Sequence, residues 1–411
     1  MKITALNQFA LLLLTSIVAF TPFFALRRII VLGAAFLIWY VTAMTIDRRF
    51  VAKSFPFLAF IVLWGVLSYF IKNDAVDNSS DTYFRRYIAF SLWTYIWCVV
   101  YVFYSNHLSL IRKSIKFIVA IFLLSCFFTI RGNIIYPEAS RLLAGLSEEN
   151  SALGYTLRSL YVGGYDFIYG IVFLVMPVTL YCKYREKPRL YWLVFLLLII
   201  MTIMFGDFFT GFILATIMVI MANVKVSNTS RVFVVGLFFL LLFVFFRDYI
   251  FQVIIRLSDY FGFESISHRA TQVLLGTYQS DYDLKINDLS RTERAMNAVR
   301  NILDSPILGQ LIPRVTPMRE SGHSEFLTYF EKFGLLAITY VWFYRSFFRM
   351  CKSHFKSPMI KRYYSFFAMM IIAFLFLDTF DIAIATGYVV FFLAPVLFQI
   401  LDEHCVVQEL M

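Results

Sequence analysis

Charge is scarce in this 411-residue chain: 15% of its residues are Asp, Glu, Lys or Arg, against roughly 25% in a soluble globular domain. Cysteine, histidine and proline are scarce too, at 5, 5 and 10 residues. The cysteines (Cys98, Cys126, Cys182, Cys351 and Cys405) form no C-x-x-C pair and have no metal-ligand spacing. A disulfide scaffold is therefore excluded, and these residues, all in or beside apolar runs, are read as packing groups. Internal repeats of about 20–50 residues and low-complexity linkers are also absent. What is plentiful is apolar surface, at 60% of the chain, with 19% aromatic residues. That composition excludes a soluble enzyme and a disordered tail. The formal net charge of +11 would suit a nucleic-acid partner, but in a membrane chain positive charge first reports topology. No nucleic-acid partner is expected.

Apolar runs lie near 5–24, 29–45, 55–71, 87–104, 115–130, 164–182, 190–205, 207–223, 232–246, 323–344, 365–381 and 383–401. Crossing a bilayer takes about 20 apolar residues, so the pattern predicts an all-α polytopic membrane protein of about twelve transmembrane helices. The first run lacks a charged leader and a small-residue cleavage site, and is read as a retained helix. Three parts follow: helices 1–9 in 1–246, one large outward loop with amphipathic helices in 247–322, and helices 10–12 with a short tail in 323–411.

With both termini inside, the cytoplasmic loops 46–54, 105–116, 183–189, 225–231 and 345–362 hold 18 Lys and Arg in 53 residues. The opposite loops, 25–28, 72–86, 131–163, 205–206 and 247–322, hold 17 in 130. The bias agrees with the positive-inside rule. The two sides also differ in kind. The inner loops carry 9 Arg and 9 Lys, whereas the outer ones carry 15 Arg and 2 Lys. Topology needs only positive charge; a planar guanidinium fork additionally suits bidentate binding of phosphate or carboxylate. Pairing with the loops' own acids, such as Glu293, Asp304 and Glu320, is the simpler use of the same groups.

The 247–322 loop is too long to be an idle connection. Within it, Ser290-Arg291-Thr292-Glu293 is a capping-box pattern that opens a helix running to about Leu303 and stopping at Asp304-Ser305-Pro306. Met296, Val299 and Leu303 share one face of that helix, and Arg291, Arg294 and Ala298 another. Two guanidinium groups one turn apart near a helix start make a candidate anion site. His323 closes the loop and enters the tenth apolar run, where an ionisable group is costly and tends to be functional. A neutral imidazole there suits proton transfer near neutral pH. His107, His268, His354 and His404 are read as packing or interface residues. The Asp281-Tyr282-Asp283 triplet mimics a metal-binding D-x-D, a match common by chance. Asp378 and Asp381 are read as ending a spanning helix at the outer surface, with a role lining the site as the alternative. The 131–163 loop, with Arg131, Arg141 and Arg158, is a candidate second wall.

The stretch Arg291-x14-Pro306-x2-Gly309, then His323-Ser324 and, after nine intervening residues, Gly334, resembles the C-terminal region shared by bacterial O-antigen polymerases and O-antigen ligases. The motif match covers about 290–340, and the helix layout extends the likeness less specifically. Two departures stand out. Ala337 occupies a position where the ligases carry Gly, Thr or Tyr, which leans toward polymerase. Gly206-Asp207-Phe208-Phe209-Thr210-Gly211 occupies the turn where many members carry a Ser-Arg pair.

The resemblance implies a glycosyltransferase of the bacterial inner membrane, with the active site facing the periplasm and an undecaprenyl-diphosphate-linked oligosaccharide as donor. It implies catalytic roles for His323 and Arg291, and substrate-binding roles for Arg158, Arg294, Arg141, Arg300 and Arg319. Neither metal nor cofactor is expected, since guanidinium groups can offset the phosphate charge. Membrane lipids and a chain-length regulator protein are the expected partners. The alternatives are a ligase that moves glycan to lipid A-core, and a lipid-linked oligosaccharide flippase.

Overall fold

The computed structural model describes residues 3–20, 28–69, 94–136, 139–140, 143, 156–157, 159–184, 189–206, 208–224, 249, 251–260, 262, 267, 270–271, 291–311, 325–377 and 384–410. Among them there is no strand. The helices are α1 (Ile3–Ala19), α2 (Arg28–Ile46), α3 (Arg49–Tyr69), α4 (94–106), α5 (Leu108–Ile135), α6 (Tyr165–Tyr184), α7 (Arg189–Phe205) and α8 (Phe209–Asn223). They continue as α9 (Arg291–Asp304), α10 (Glu325–Phe333), α11 (Ile338–His354), α12 (Pro358–Leu377), α13 (Ile384–Tyr388) and α14 (Ala394–Leu410). A π turn, Val389–Leu393, joins the last two. Among the described residues, four helical stretches are long and apolar enough to cross a membrane: Arg49–Leu67, Leu108–Ile135, Tyr165–Tyr184 and Ile384–Cys405. Four shorter apolar helices accompany them. This all-helical build is consistent with a helical membrane protein, because a helix satisfies its own backbone in hydrocarbon. The run at 232–246 lies outside the described residues, as does about half of 247–322, where 251–260 forms a further helix.

The middle of the bundle is α6, buried along nearly its whole length and packed against α7, α8, α13 and α14. The helix 384–401 is likewise buried on every side. Polar side chains inside this core bond to one another. Asn7 donates to Thr42 Oγ1 at 3.0 Å and accepts from the Tyr104 hydroxyl at 2.7 Å, tying α1 to α2 and α4. Thr15 and Tyr388 pair at 2.8 Å. A buried network of this kind fixes one helix register, since slippage would strand its polar groups.

The described parts of loops 46–54, 105–116 and 345–362 meet at one end of the bundle, rich in lysine. Asp402 accepts from the Lys356 and Ser357 amides at 2.7 and 2.8 Å, which caps the start of α12. Lys53 donates to Asn106 at 3.1 Å, Gln399 donates to the Ser105 carbonyl at 3.0 Å, and Arg112 pairs with Glu403. His107 lies 3.4 Å from Asp47. Burial pushes the Asp47 carboxyl up, but the Arg49 amide, the His107 ring and the Lys53 charge outweigh it and hold the group below its ordinary value. His354, which faces the Tyr101 hydroxyl at 3.2 Å, is shifted down by burial and by the Lys53 charge.

The apolar run 323–344 does not form one straight helix. Its described part is broken at Gly334, where a 3-10 turn, Gly334–Ala337, separates α10 from α11. Gly334 sits at φ +57°, a left-handed backbone that no helix continues through.

Candidate functional site

At the end of the bundle opposite the lysine-rich one, α9 packs on α10. The helix expected from the capping box spans Arg291–Asp304 and stops where Ser305-Pro306 begins. Its buried face carries Ala298 and Asn301. The Asn301 amide donates to Glu331 Oε1 of α10 at 3.1 Å, and both side chains are buried. A carboxylate taken out of water needs such donors, so this pair fixes how α9 lies on α10.

Beyond α9 the chain turns back on itself. The Gly309 amide donates to the Ser305 carbonyl at 3.1 Å, and the Ser305 hydroxyl donates to the Gly309 carbonyl at 2.9 Å. Gly309 is left-handed at φ +56°, and the two left-handed glycines press against each other's neighbours. A Cβ on Gly309 would lie 2.6 Å from the Lys332 carbonyl carbon; one on Gly334 would lie 2.5 Å from that of Ile307. The Leu335 amide closes the contact by donating to the Ile307 carbonyl at 3.0 Å. The Pro-x-x-Gly and the distant Gly of the sequence motif thus form one backbone clamp.

The helix carrying Arg291, Arg294 and Arg300 is joined by this clamp to the helix that begins two residues after His323. Arg300 is exposed. Arg291 and Arg294 occupy the first turn of α9, and their side chains lie outside the described ones. His323, Arg319, Arg141 and Arg158 lie outside the described residues, as do Asp281, Asp283, Asp378 and Asp381. α10 itself is seated in an aromatic wall: Trp64 of α3 meets Tyr329 and Phe333 edge-on at 5.3 and 4.4 Å, and Tyr329 stacks on Tyr340 at 4.3 Å. Such pairs have defined geometry and little freedom to shift.

The proposed second wall is pinned at its described points. Asn133 and Ser140 exchange two hydrogen bonds at 2.8 and 3.0 Å, and the Gly163 amide donates to Thr129 Oγ1 at 2.9 Å. Next in the chain is Asp166, which the sequence reading passed over. Its carboxylate accepts from the Ala385 and Thr386 amides, both at 2.8 Å, and so caps α13. An acid in the first turn after Gly163-Gly164 was the available signal, but its partner lies 220 residues away. Asn301 and Glu331 were missed for the same reason. At the turn where the resemblance leads one to expect Ser-Arg, Phe208 is buried and packs edge-on against Tyr165 at 5.1 Å.

Among the described residues no three His, Cys, Asp or Glu side chains converge as metal ligands do. Compared with protein-family models, with curated proteins and with solved structures, the chain matches none.

Proposed function

We propose that the protein is a glycosyltransferase of a bacterial inner membrane, with about twelve spans, that polymerises undecaprenyl-diphosphate-linked oligosaccharide repeat units at the outer face. The observation that carries this reading is the Gly309–Gly334 clamp with its Asn301–Glu331 pair. It packs the helix bearing Arg291, Arg294 and Arg300 on the helix that begins two residues after His323, which supports a diphosphate site beside a general base. The lysine-rich end, gathered from loops that the charge count assigns to the cytoplasm, supports the accompanying topology.

The acceptor hydroxyl of one lipid-linked repeat unit attacks C1 of the donor glycan's reducing-end sugar. The new C1–O bond forms as the bond to the diphosphate breaks, and the electron pair leaves on the diphosphate oxygen. Arg291 and Arg294, with Arg158, Arg141, Arg300 and Arg319 as further binding groups, offset the charge of the departing diphosphate. His323 takes the proton of the attacking hydroxyl. The leaving group is already good, so the reaction asks the protein for anion binding and one proton acceptor.

Mass spectrometry of lipid-linked glycans after gene deletion tests the reading. Accumulation of single repeat units on the lipid is expected. Full-length polymer left on the lipid would point to a ligase instead, and an unchanged profile would overturn the assignment.

A further inference from the structure

The apolar face of α9 is not turned into the protein. Ala298 and Asn301 are buried against α10, whereas Met296 is 51% exposed and Leu303 is 71% exposed, with Val299 exposed between them. The stripe does not end with the helix. Ile307 is 63% exposed, and its carbonyl holds the amide of Leu335, itself exposed. From Leu335 the exposed apolar groups continue along α11 as Ile338, Val341 and Trp342, the last 59% exposed. Exposed apolar side chains thus recur from α9, through the Ile307–Leu335 contact, onto the flank of α11. The flanks of α2 and α7 expose large apolar side chains in the same way, at Ile30, Leu37 and Val41 and at Leu190, Leu193 and Leu197. These surfaces suit lipid chains and not water. Arg300 is exposed and lies beside the stripe, where a long basic side chain can reach a phosphate while its stem covers apolar surface.

We infer that α9 is a membrane-surface helix, whose Met296–Val299–Leu303 stripe and Ile307 are seated among lipid acyl chains at the boundary of the bilayer, with Arg300 at the level of the headgroup phosphates. The helix cannot span: 14 residues at about 1.5 Å each are too short, and Arg291, Glu293, Arg294 and Arg300 interrupt the apolar pattern. Its opposed faces, basic flank and short apolar stripe are the properties of a helix that lies in the interface plane. The end of the outward loop is thereby part of the membrane surface, not a water-borne excursion. The consequence is one of depth: the first turn of α9, with Arg291 and Arg294, is held at the height where the phosphates of any lipid-linked substrate lie. The inference needs the membrane reading only, and stands whether or not the protein transfers sugar.

The test uses the full chain in nanodiscs of phosphatidylethanolamine and phosphatidylglycerol. Single cysteines replace Met296, Leu303, Ile307, Arg300, Trp342 and Lys352 in turn, in a background with Cys182→Ser; the other four native cysteines are buried. Each is nitroxide-labelled and its collisions with oxygen and with a water-soluble nickel chelate are compared. Met296, Leu303 and Ile307 should match the Trp342 reference, with an oxygen-over-nickel ratio several-fold above that of Lys352. Their depth should be about 5–10 Å inside the phosphate plane, with Arg300 shallower. Nickel access at Leu303 equal to that at Lys352 would overturn the inference in favour of a solvated helix. Labels shielded from both reagents would overturn it in favour of a second copy or a protein partner. Because these side chains are exposed, the substitutions leave the core untouched, and elution as one species verifies each variant.

Discussion

The two ends of the bundle are held by different chemistry. At the lysine-rich end, charged side chains do the holding: Asp402 on the Lys356 and Ser357 amides, Arg112 on Glu403, and Lys53 on Asn106. At the other end the described contacts come from backbone against backbone at Gly309 and Gly334, from Asn133, Ser140 and Thr129, from the buried Asn301–Glu331 pair, and from the capping carboxylate of Asp166. The first end uses its charges to fix helices. The second relies, among the described residues, on a backbone clamp and on carboxylates bonded to neutral donors.

Four experiments sharpen or break that contrast. The largest effect is expected at Arg291. If it binds diphosphate through its planar fork, Arg291→Lys should lose nearly as much transfer activity as Arg291→Ala, because an ammonium cannot reproduce two parallel hydrogen bonds. Charge-assisted bonds worth about 1.5–3 kcal/mol each correspond to a loss of roughly ten- to a thousandfold. Full activity in the lysine variant would reduce the role to simple charge.

Removing a capping carboxylate should act on stability at either end. Asp402→Ala strands the Lys356 and Ser357 amides, and Asp166→Ala strands those of Ala385 and Thr386. Each should cost on the order of 3 kcal/mol in thermal unfolding of the purified protein, two bonds to a charged group being lost. The clamp glycines come next. Gly334→Ala and Gly309→Ala meet a left-handed penalty of about 1–2 kcal/mol plus the backbone collision. Gly262, left-handed at φ +72° with nothing within 4 Å of its missing Cβ, supplies the comparison: Gly262→Ala should show the penalty without the collision. Equal Tm losses at all three sites would mean the clamp carries no steric load.

The smallest effect is at Asp47. Its carboxyl is held below the ordinary value of 3.8, so the folded state binds a proton there less readily than the unfolded chain. The stabilisation is therefore complete above the unfolded value and is lost as pH falls through the folded one. Partly exposed pairs contribute about 0.2–1 kcal/mol, so Asp47→Asn should lower Tm slightly at neutral pH and converge with the wild type in acid. A gap that widens in acid would reverse the assigned sign.

Much of this architecture can be read from hydropathy and spacing, and its failures are specific. The capping box and Ser305-Pro306 delimit α9 to within a residue, because caps and proline act locally. The break at Gly334 is invisible to a hydropathy window, which sees apolar composition and not the sign of φ. The motif supplied Gly309 and Gly334, but their mutual contact exists only once the chain has folded back. Asp166 and Glu331 were missed because the groups that explain them, Ala385–Thr386 and Asn301, lie on other helices. Register places Met296, Val299 and Leu303 together on one face of α9, yet only the burial of Ala298 and Asn301 reveals which face is covered.

In the proposed transfer His323 takes the proton of the attacking hydroxyl, and reconstitution measures that role. Purified protein in nanodiscs would be supplied with lipid-diphosphate-linked repeat units extracted from its own host, and products followed by mass spectrometry. The wild type should yield a ladder rising by one repeat unit, with release of polyprenyl diphosphate. His323→Ala, eluting and melting like the wild type, should still bind donor and fall by about 10²–10⁴-fold in rate. A folded His323→Ala protein that builds the ladder at the wild-type rate would remove His323 from the reaction.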